Sequence, residues 1–145
     1  MERPVVSAPI QIEIEIPSRL ADIDSLEAVT VGLGLASGLD PEAAHFFGVA
    51  LREAVTNAVR HGRGPDPEVP LRLAFDLGRD SCFAVSVRDW GPGFEPESLT
   101  NPLAFENLAS GRGRGIFFMR RFADEVGFSF PPDGGCEVSL RKRIP

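Results

Sequence analysis

Ile10, Ile12, Ile14 and Ile16 alternate with Gln11, Glu13 and Glu15, a period of two that turns one face of an extended segment apolar and leaves the other wet. The pattern predicts a strand. From 18 to 37 the period changes, with Leu20, Ile23, Leu26, Val29 and Leu33 at helical spacing, although Gly32 and Gly34 weaken the last turns. Asp40 before Pro41 supplies an N-cap and a first-turn proline, and Gly62 a stop, bracketing a helix over 41–61. Past a loop at 62–67, Val69, Leu71, Leu73, Phe75 and Leu77 alternate, LGRDS reads as a turn, and Phe83, Val85 and Val87 alternate again. These predict an antiparallel hairpin ending at Asp89. The stretch 92–110 reads as loop, GRGRG opens a helix expected to run to about Glu125, and two short strands joined by PPDGG close the chain.

The resulting order, β-α-α-β-β-α-β-β, has strands with a single clean apolar side. It predicts an α+β fold, a two-layer sandwich in which helices cover one face of a mixed, mostly antiparallel sheet. No internal repeat and no linker interrupts it, and 145 residues suit one compact domain over 1–145.

Composition narrows the function. With 43% hydrophobic and 25% charged residues and a mean hydropathy of −0.02, the chain falls among ordinary globular proteins. No apolar run approaches the roughly 20 residues that span a bilayer, and MERPVVSAPI lacks the basic start and apolar stretch of a secretory signal. A cytoplasmic protein without a membrane anchor is expected. The net charge of −6 repels a phosphate backbone and no basic patch offsets it, so direct nucleic-acid binding is not expected. Fourteen of the fifteen basic residues are arginine, a bias that suits phosphate and carboxylate recognition but equally follows from base composition. Cys82 and Cys136 fit no zinc spacing and lie in strand-like segments, which reads as buried free thiols.

Three short stretches carry candidate chemistry. In FFGVALREAVTNAVRHG the apolar positions Phe47, Leu51, Ala54, Val55 and Ala58 define a buried stripe, and Glu53 and Asn57 lie off it, four apart on one helical face. A solvated glutamate beside an asparagine explains the pair without a site. The stretch DWGPG, with Asp89, Gly91 and Gly93, sits at a strand end, where a plain turn also suffices. GRGRG, with Gly111, Gly113 and Gly115, reads as a flexible loop or as the opening of a helix. Their joint order changes the balance: Asn57 precedes Asp89 by 32 residues and Asp89 precedes Gly111 by 22, each motif on a fitting element.

In that order the chain resembles the GHKL, or Bergerat-fold, ATPase superfamily over nearly its whole length, through an N box (Glu53, Asn57), a DxGxG box (Asp89, Gly91, Gly93) and a GxGxG box (Gly111, Gly113, Gly115). Within the superfamily it is most similar to the anti-sigma factor serine kinases, which begin with a strand, two helices and EAxTNAxxH, matched here by EAVTNAVRH. GRGRGIFFMRRFADEV also looks like their GxGxGhxhhxxhhDxV, where h is apolar. Between the glycine boxes 94–110 leave room for a short lid.

The resemblance implies a Bergerat ATP-binding fold, ATP and Mg²⁺ as cofactors, and roles for these residues. Asp89 accepts a hydrogen bond from the exocyclic amine of adenine, and Gly93 leaves the base unobstructed. Asn57 offers a neutral oxygen to Mg²⁺, a hard cation that keeps several waters while bridging phosphates. Glu53 is the candidate base that takes the proton of an attacking hydroxyl. Gly113 and Gly115 let backbone N–H groups approach phosphate where a helix begins. Arg112 and Arg114 add positive charge there or face water. His61 stands near phosphate or simply caps the helix dipole, and Trp90 either walls the adenine pocket or fills the core; Phe117, Phe118 and Phe122 read as core. One departure stands out: where such ATPases often bear a threonine on the last strand, this chain has Cys136 and Glu137.

The activity implied is that of an ATP-dependent serine/threonine protein kinase that binds a sigma factor, phosphorylates an anti-sigma factor antagonist and forms a homodimer. Two alternatives stay open: a nucleotide-tuned binding module without catalysis, and an ATPase domain serving a separate histidine phosphoacceptor protein. No phosphoacceptor-histidine helix pair precedes the ATPase motifs, so a complete sensor kinase is not expected.

Overall fold

The computed structural model describes residues 9–61, 66–91 and 114–145. Its elements are β1 (Ile10–Ser18), α1 (Ile23–Ser37), α2 (Pro41–His61), β2 (Asp66–Leu77), β3 (Cys82–Asp89), α3 (Arg114–Phe122), β4 (Glu125–Ser129) and β5 (Cys136–Arg143). The strands form one five-stranded sheet in the order β1-β2-β3-β5-β4. Every described pairing is antiparallel, so the mixed sheet expected from sequence is antiparallel throughout its described strands.

Strand alternation decides which side the helices cover. Leu71, Leu73, Phe75, Phe83, Val85, Val87, Val138 and Leu140 point to one face and are buried there. Against them lie Ile23 and Leu26 of α1, Phe47, Leu51, Ala54 and Val55 of α2, and Ile116 and Met119 of α3, all in one apolar cluster. Helix α2 is the central helix: it packs against α1 on one side and α3 on the other, and beneath it run β3 and β5. Both cysteines are free, Cys82 half-buried and Cys136 buried.

Several boundaries differ from the sequence pattern, each for a local reason. The first helix begins at Ile23, not at 18: Ser18 is still in β1, paired with Asp66 across a register shift, and Arg19 is extended before a single 3₁₀ turn over Leu20–Asp22. Its end matches expectation despite the two glycines, closed by the Leu39 N–H donating back to the Gly34 carbonyl at 3.0 Å. Strand β2 starts at Asp66, inside the segment expected to be loop. The last helix stops at Phe122 instead of reaching Glu125. There Asp124 turns to the neighbouring strand, giving its N–H to the Arg141 carbonyl at 2.8 Å and accepting the Arg143 N–H at 2.8 Å. The Arg143 N–H, with help from Lys142, holds the Asp124 carboxyl below its usual range, and Glu125 opens β4.

Two aromatic expectations are corrected in part: Trp90 is not in the core, and Phe117 is exposed. Trp90 lies outside the core cluster, half-buried, with the guanidinium carbons of Arg88 and Arg72 at 4.6 and 5.1 Å from its ring. Register explains this: Arg72 and Arg88 are paired across β2 and β3 on the uncovered face, and two weakly hydrated guanidinium planes attract an indole. Phe117 is 61% exposed, and Phe118 and Phe122 are only half-buried, Phe122 stacking on Phe46 at 4.7 Å between centroids. Ile116 and Met119 supply the buried face of α3, and Phe122 packs against the core from its edge.

The turn between β4 and β5 contains the tightest backbone approach. Gly135 has φ +79°, and a Cβ there would stand 2.0 Å from the Asp89 carbonyl oxygen. Gly78 also has a left-handed φ, +97°, but nothing lies within 4 Å of its Cβ position. Gly78→Ala should therefore cost only backbone strain, on the order of 1 kcal/mol, whereas Gly135→Ala should cost at least about 2–3 kcal/mol because strand and turn must also separate. Urea unfolding of both variants checks this; equal losses would remove the steric part of the account.

Candidate functional site

Helix α2 brings a polar pair to the sheet because its 3.6-residue period sets positions 53 and 57 one above the other. Glu53 is half-buried and forms no ion pair among the described residues. Asn57 does not lie off the buried face, as its polarity suggests, but is only 8% exposed. Its Nδ2 is buried without a hydrogen-bond partner among the described residues. Such an orphan costs about 1–3 kcal/mol unless something fills the valence.

Asp89 is the last residue of β3, where it is as deeply buried as Asn57, at 8% exposure. Its Oδ1 accepts the N–H of Gly91 at 3.0 Å, and the backbone N–H of Cys136, its partner across β3 and β5, also bonds it. Burial pushes the Asp89 carboxyl up from its ordinary value, while the two backbone donors and the nearby Arg88 charge pull it back in part. Among the described residues no cation pairs with it directly: Arg88 reaches instead across the uncovered face, donating to Asp133 at 2.9 Å and to the Gly134 carbonyl at 3.1 Å. Arg88 thereby ties the β4–β5 turn to the end of β3.

Beside Asp89 the Cys136 thiol is pushed up to about 12, first by burial and then by the Asp89 and Glu137 charges, so it stays protonated and inert at neutral pH. Cys136, not Glu137, is the residue of β5 that faces Asp89, since Glu137 pairs with Arg88. Sequence reading missed this cross-strand arrangement, and with it Gly135 and Arg88. The signal available was the register: once Asp89 and Cys136 are set opposite, the glycine before Cys136 must pass the Asp89 backbone.

Of the remaining expected residues, Gly91 is buried two positions beyond Asp89, and Gly115 is buried in the first turn of α3. His61 ends α2 and Arg114 begins α3. Gly93, Gly111, Gly113 and Arg112 lie outside the described residues. Among the described residues no group of three or more His, Cys, Asp and Glu side chains is placed to hold a metal, which leaves the Asn57 oxygen as the candidate ligand there.

The residues present fit a nucleotide. A buried carboxylate without a cation offers an acceptor to a neutral donor such as an exocyclic amine. The unfilled Asn57 carboxamide fits phosphate through its nitrogen or a hard cation through its oxygen, the two ends being distinguished only by their partners.

The comparisons agree with this geometry. Residues 16–142 match the model of the histidine kinase-like ATPase domain. The chain is 31% identical over 131 residues to an anti-sigma F factor of Geobacillus kaustophilus, covering 88% of each chain. It is 26% identical over 141 residues to the serine-protein kinase RsbW of Staphylococcus epidermidis, covering 92% of this chain and 86% of that one. In fold it is similar to the structure of the RsbU and RsbW domains of Rv1364c from Mycobacterium tuberculosis, with a TM-score of 0.66 and 19% identity, covering 93% of this chain and 32% of that one.

A carboxyl whose folded value is raised binds its proton more tightly in the native state. Its contribution is fully present below the unfolded value of about 3.9 and is lost as pH rises through the folded value. Asp89→Asn removes that titration. The melting temperature of the variant relative to wild type should therefore climb as pH is raised from about 4 to 7. A difference that is flat or falls over this range would mean the carboxylate is not held out of water.

Proposed function

The chain belongs to the histidine kinase-like ATPase domain family, in its anti-sigma factor kinase branch, and from that premise we propose that it is an ATP- and Mg²⁺-dependent serine/threonine protein kinase. It binds a sigma factor and phosphorylates an antagonist of its own anti-sigma activity, acting as a homodimer in the cytoplasm over a single domain, 1–145. The names of its relatives support the partners. The observation that carries the catalytic part is Asn57, buried with its Nδ2 lacking a hydrogen-bond partner among the described residues, one helical turn from the half-buried carboxylate of Glu53.

ATP supplies the transferable phosphoryl group, and Mg²⁺ the charge that screens it. Asp89 presents a fixed acceptor to the adenine amine, held in place by the Gly91 N–H. Asn57 offers its oxygen to the cation. Gly91, Gly93, Gly111, Gly113 and Gly115 supply backbone without side chains around the nucleotide, the last three where α3 begins and its dipole favours an anion. Glu53 takes the proton of the attacking serine or threonine hydroxyl. A sequestering module needs neither a base nor a metal ligand, which favours the enzyme over pure binding.

Asp89→Asn should abolish ATP binding in calorimetry while the fold persists, because the amide turns a donor where the amine needs an acceptor. Retained affinity in the folded variant would take Asp89 out of the nucleotide site.

Asn57→Ala should weaken ATP binding more with Mg²⁺ than without it. Equal losses under both conditions would place Asn57 away from the ion.

Glu53→Gln keeps size and polarity but takes no proton. It should keep nucleotide and sigma-factor binding while phosphoryl transfer to purified antagonist falls about 10²- to 10⁴-fold. Transfer at the wild-type rate removes Glu53 as the base. A wild-type protein that binds ATP, captures the sigma factor and phosphorylates no antagonist returns the reading to sequestration.

A further inference from the structure

Asp89 and its two chain neighbours divide between the faces of the sheet. Strand alternation turns Asp89 toward the helices, where it is buried, and sends Arg88 and Trp90 to the uncovered face. The Asp89 carboxylate is held by two backbone donors, the Gly91 N–H at 3.0 Å and the Cys136 N–H across the sheet. Each donor is in turn fixed from the uncovered face by one of those neighbours.

Arg88, its side chain only 16% exposed, donates through Nη2 to Asp133 at 2.9 Å and to the Gly134 carbonyl at 3.1 Å. It thereby anchors the turn that leads into Cys136. That hydrogen bond is also the main cause that holds the Asp133 carboxyl below its usual range, so the contact is charge-assisted at neutral pH. Trp90 directly precedes Gly91, and its ring has the guanidinium carbons of Arg88 and Arg72 at 4.6 and 5.1 Å from its centre. An indole pinned in this way fixes the backbone that carries the Gly91 N–H.

The sheet alone does not favour this arrangement. Arg72 and Arg88 stand directly opposite each other on β2 and β3, a relation in which like charges are destabilising. The Arg88 Nε is also buried without a hydrogen-bond partner among the described residues. What the two arginines share is the ring of Trp90, on which weakly hydrated guanidinium planes stack.

We propose that Arg88 and Trp90 are positioning residues for base recognition: from the outer face they fix the Cys136 and Gly91 N–H groups and so aim the Asp89 carboxylate at the exocyclic amine of a purine. Both act through the backbone, from the side of the sheet away from Asp89. Fixed donors set the direction of the acceptor before the ligand arrives, and a carboxylate turned away from that direction loses the amine as a partner. The inference rests on the reading of Asp89 as the base acceptor and adds what aims it.

Calorimetry of the full chain with ATP and with purine riboside triphosphate, which lacks the exocyclic amine, isolates the Asp89 contact. Wild type should prefer ATP by about 10- to 100-fold, the worth of a hydrogen bond to a charged group. Arg88→Met keeps an apolar stem beside the ring and removes the turn anchor together with the unpartnered Nε. The preference should shrink to below about 5-fold, through weaker ATP binding with the affinity for the analogue nearly unchanged. Trp90→Leu should do the same through Gly91. Asp133 is 72% exposed, so Asp133→Ala opens the clamp without disturbing the core and should lower the preference part way. Gly78→Ala, strained at a φ of +97° at the other end of the hairpin, loses stability without touching the clamp and should keep the wild-type preference. A wild-type preference that survives intact in the Arg88, Trp90 and Asp133 variants, with circular dichroism showing them folded, overturns the proposal alone. So does a Gly78→Ala variant that loses the preference in step with them. A Trp90→Leu variant that loses both nucleotides equally sets the ring against the base itself and removes Trp90 from the positioning role. A wild type that binds ATP and the analogue alike overturns the reading of Asp89, and the proposal with it.

Discussion

Holding a carboxylate out of water at the end of β3 is the constraint that the rest of the site depends on. Burial disfavours the charged form of the Asp89 carboxyl, so its position must be fixed by groups that cannot drift. The Gly91 N–H and the Cys136 N–H do this from two directions, one by a local turn and one across the sheet. The cross-strand bond in turn requires that the β4–β5 turn lie against the end of β3. Only a residue without a Cβ passes there, which is why Gly135 stands where it does. Arg88 fastens the same turn through Asp133 and Gly134 from the opposite face. Strand end, turn and guanidinium form one unit whose product is an acceptor facing inward.

Helix α2 carries the complementary constraint. Its apolar residues Phe47, Leu51, Ala54 and Val55 are fully buried and fix its rotation against β3 and β5. Because that rotation is fixed, Asn57 is carried inward with them and Glu53 is left half-buried beside it. The core thus pays for a polar side chain that the fold alone has no use for. Burial of Asn57 with an unfilled valence is the structural counterpart of burial of Asp89 without a cation. Each leaves a hydrogen-bonding capacity that no described residue fills.

Much of this was legible in the sequence where one period or one cap decides the outcome. Strict alternation through Ile10–Ser18 and Cys82–Asp89 placed both strands, and Asp40 before Pro41 placed the start of α2, where the Asp40 carboxylate accepts the Ala43 N–H at 2.8 Å. What was not legible depends on partners distant in sequence. A core position for Trp90 does not survive, because cross-strand pairing of Arg72 with Arg88 gives its ring another surface. Helix α3 was drawn too long because helical propensity does not register that the Asp124 N–H is claimed by β5. Asn57 was placed on a wet face from its polarity, and only packing shows that it is buried. Of the two glycine-bearing motifs, Asp89, Gly91 and Gly115 lie within the described residues, and Gly93, Gly111 and Gly113 lie outside them.

Covering the sheet on one face only has a consequence for the helix layer. The central helix is shielded on both flanks, by α1 and α3, so its outward side chains alone meet water. The flanking helices have no such shield. Helix α3 ends in Arg120 and Arg121 and keeps its outer side wet, with Phe117 as the apolar exception. Helix α1 keeps its charges, Asp24 and Glu27, at one end, both bound to Arg52, and leaves the remaining turns uncharged. Exposed apolar area of this kind is disfavoured in a free helix by the same term that drives the core together. The asymmetry between the two flanks is one of charge, with Arg120 and Arg121 in the last turn of α3 and no ionisable side chain on α1 from 28 to 37.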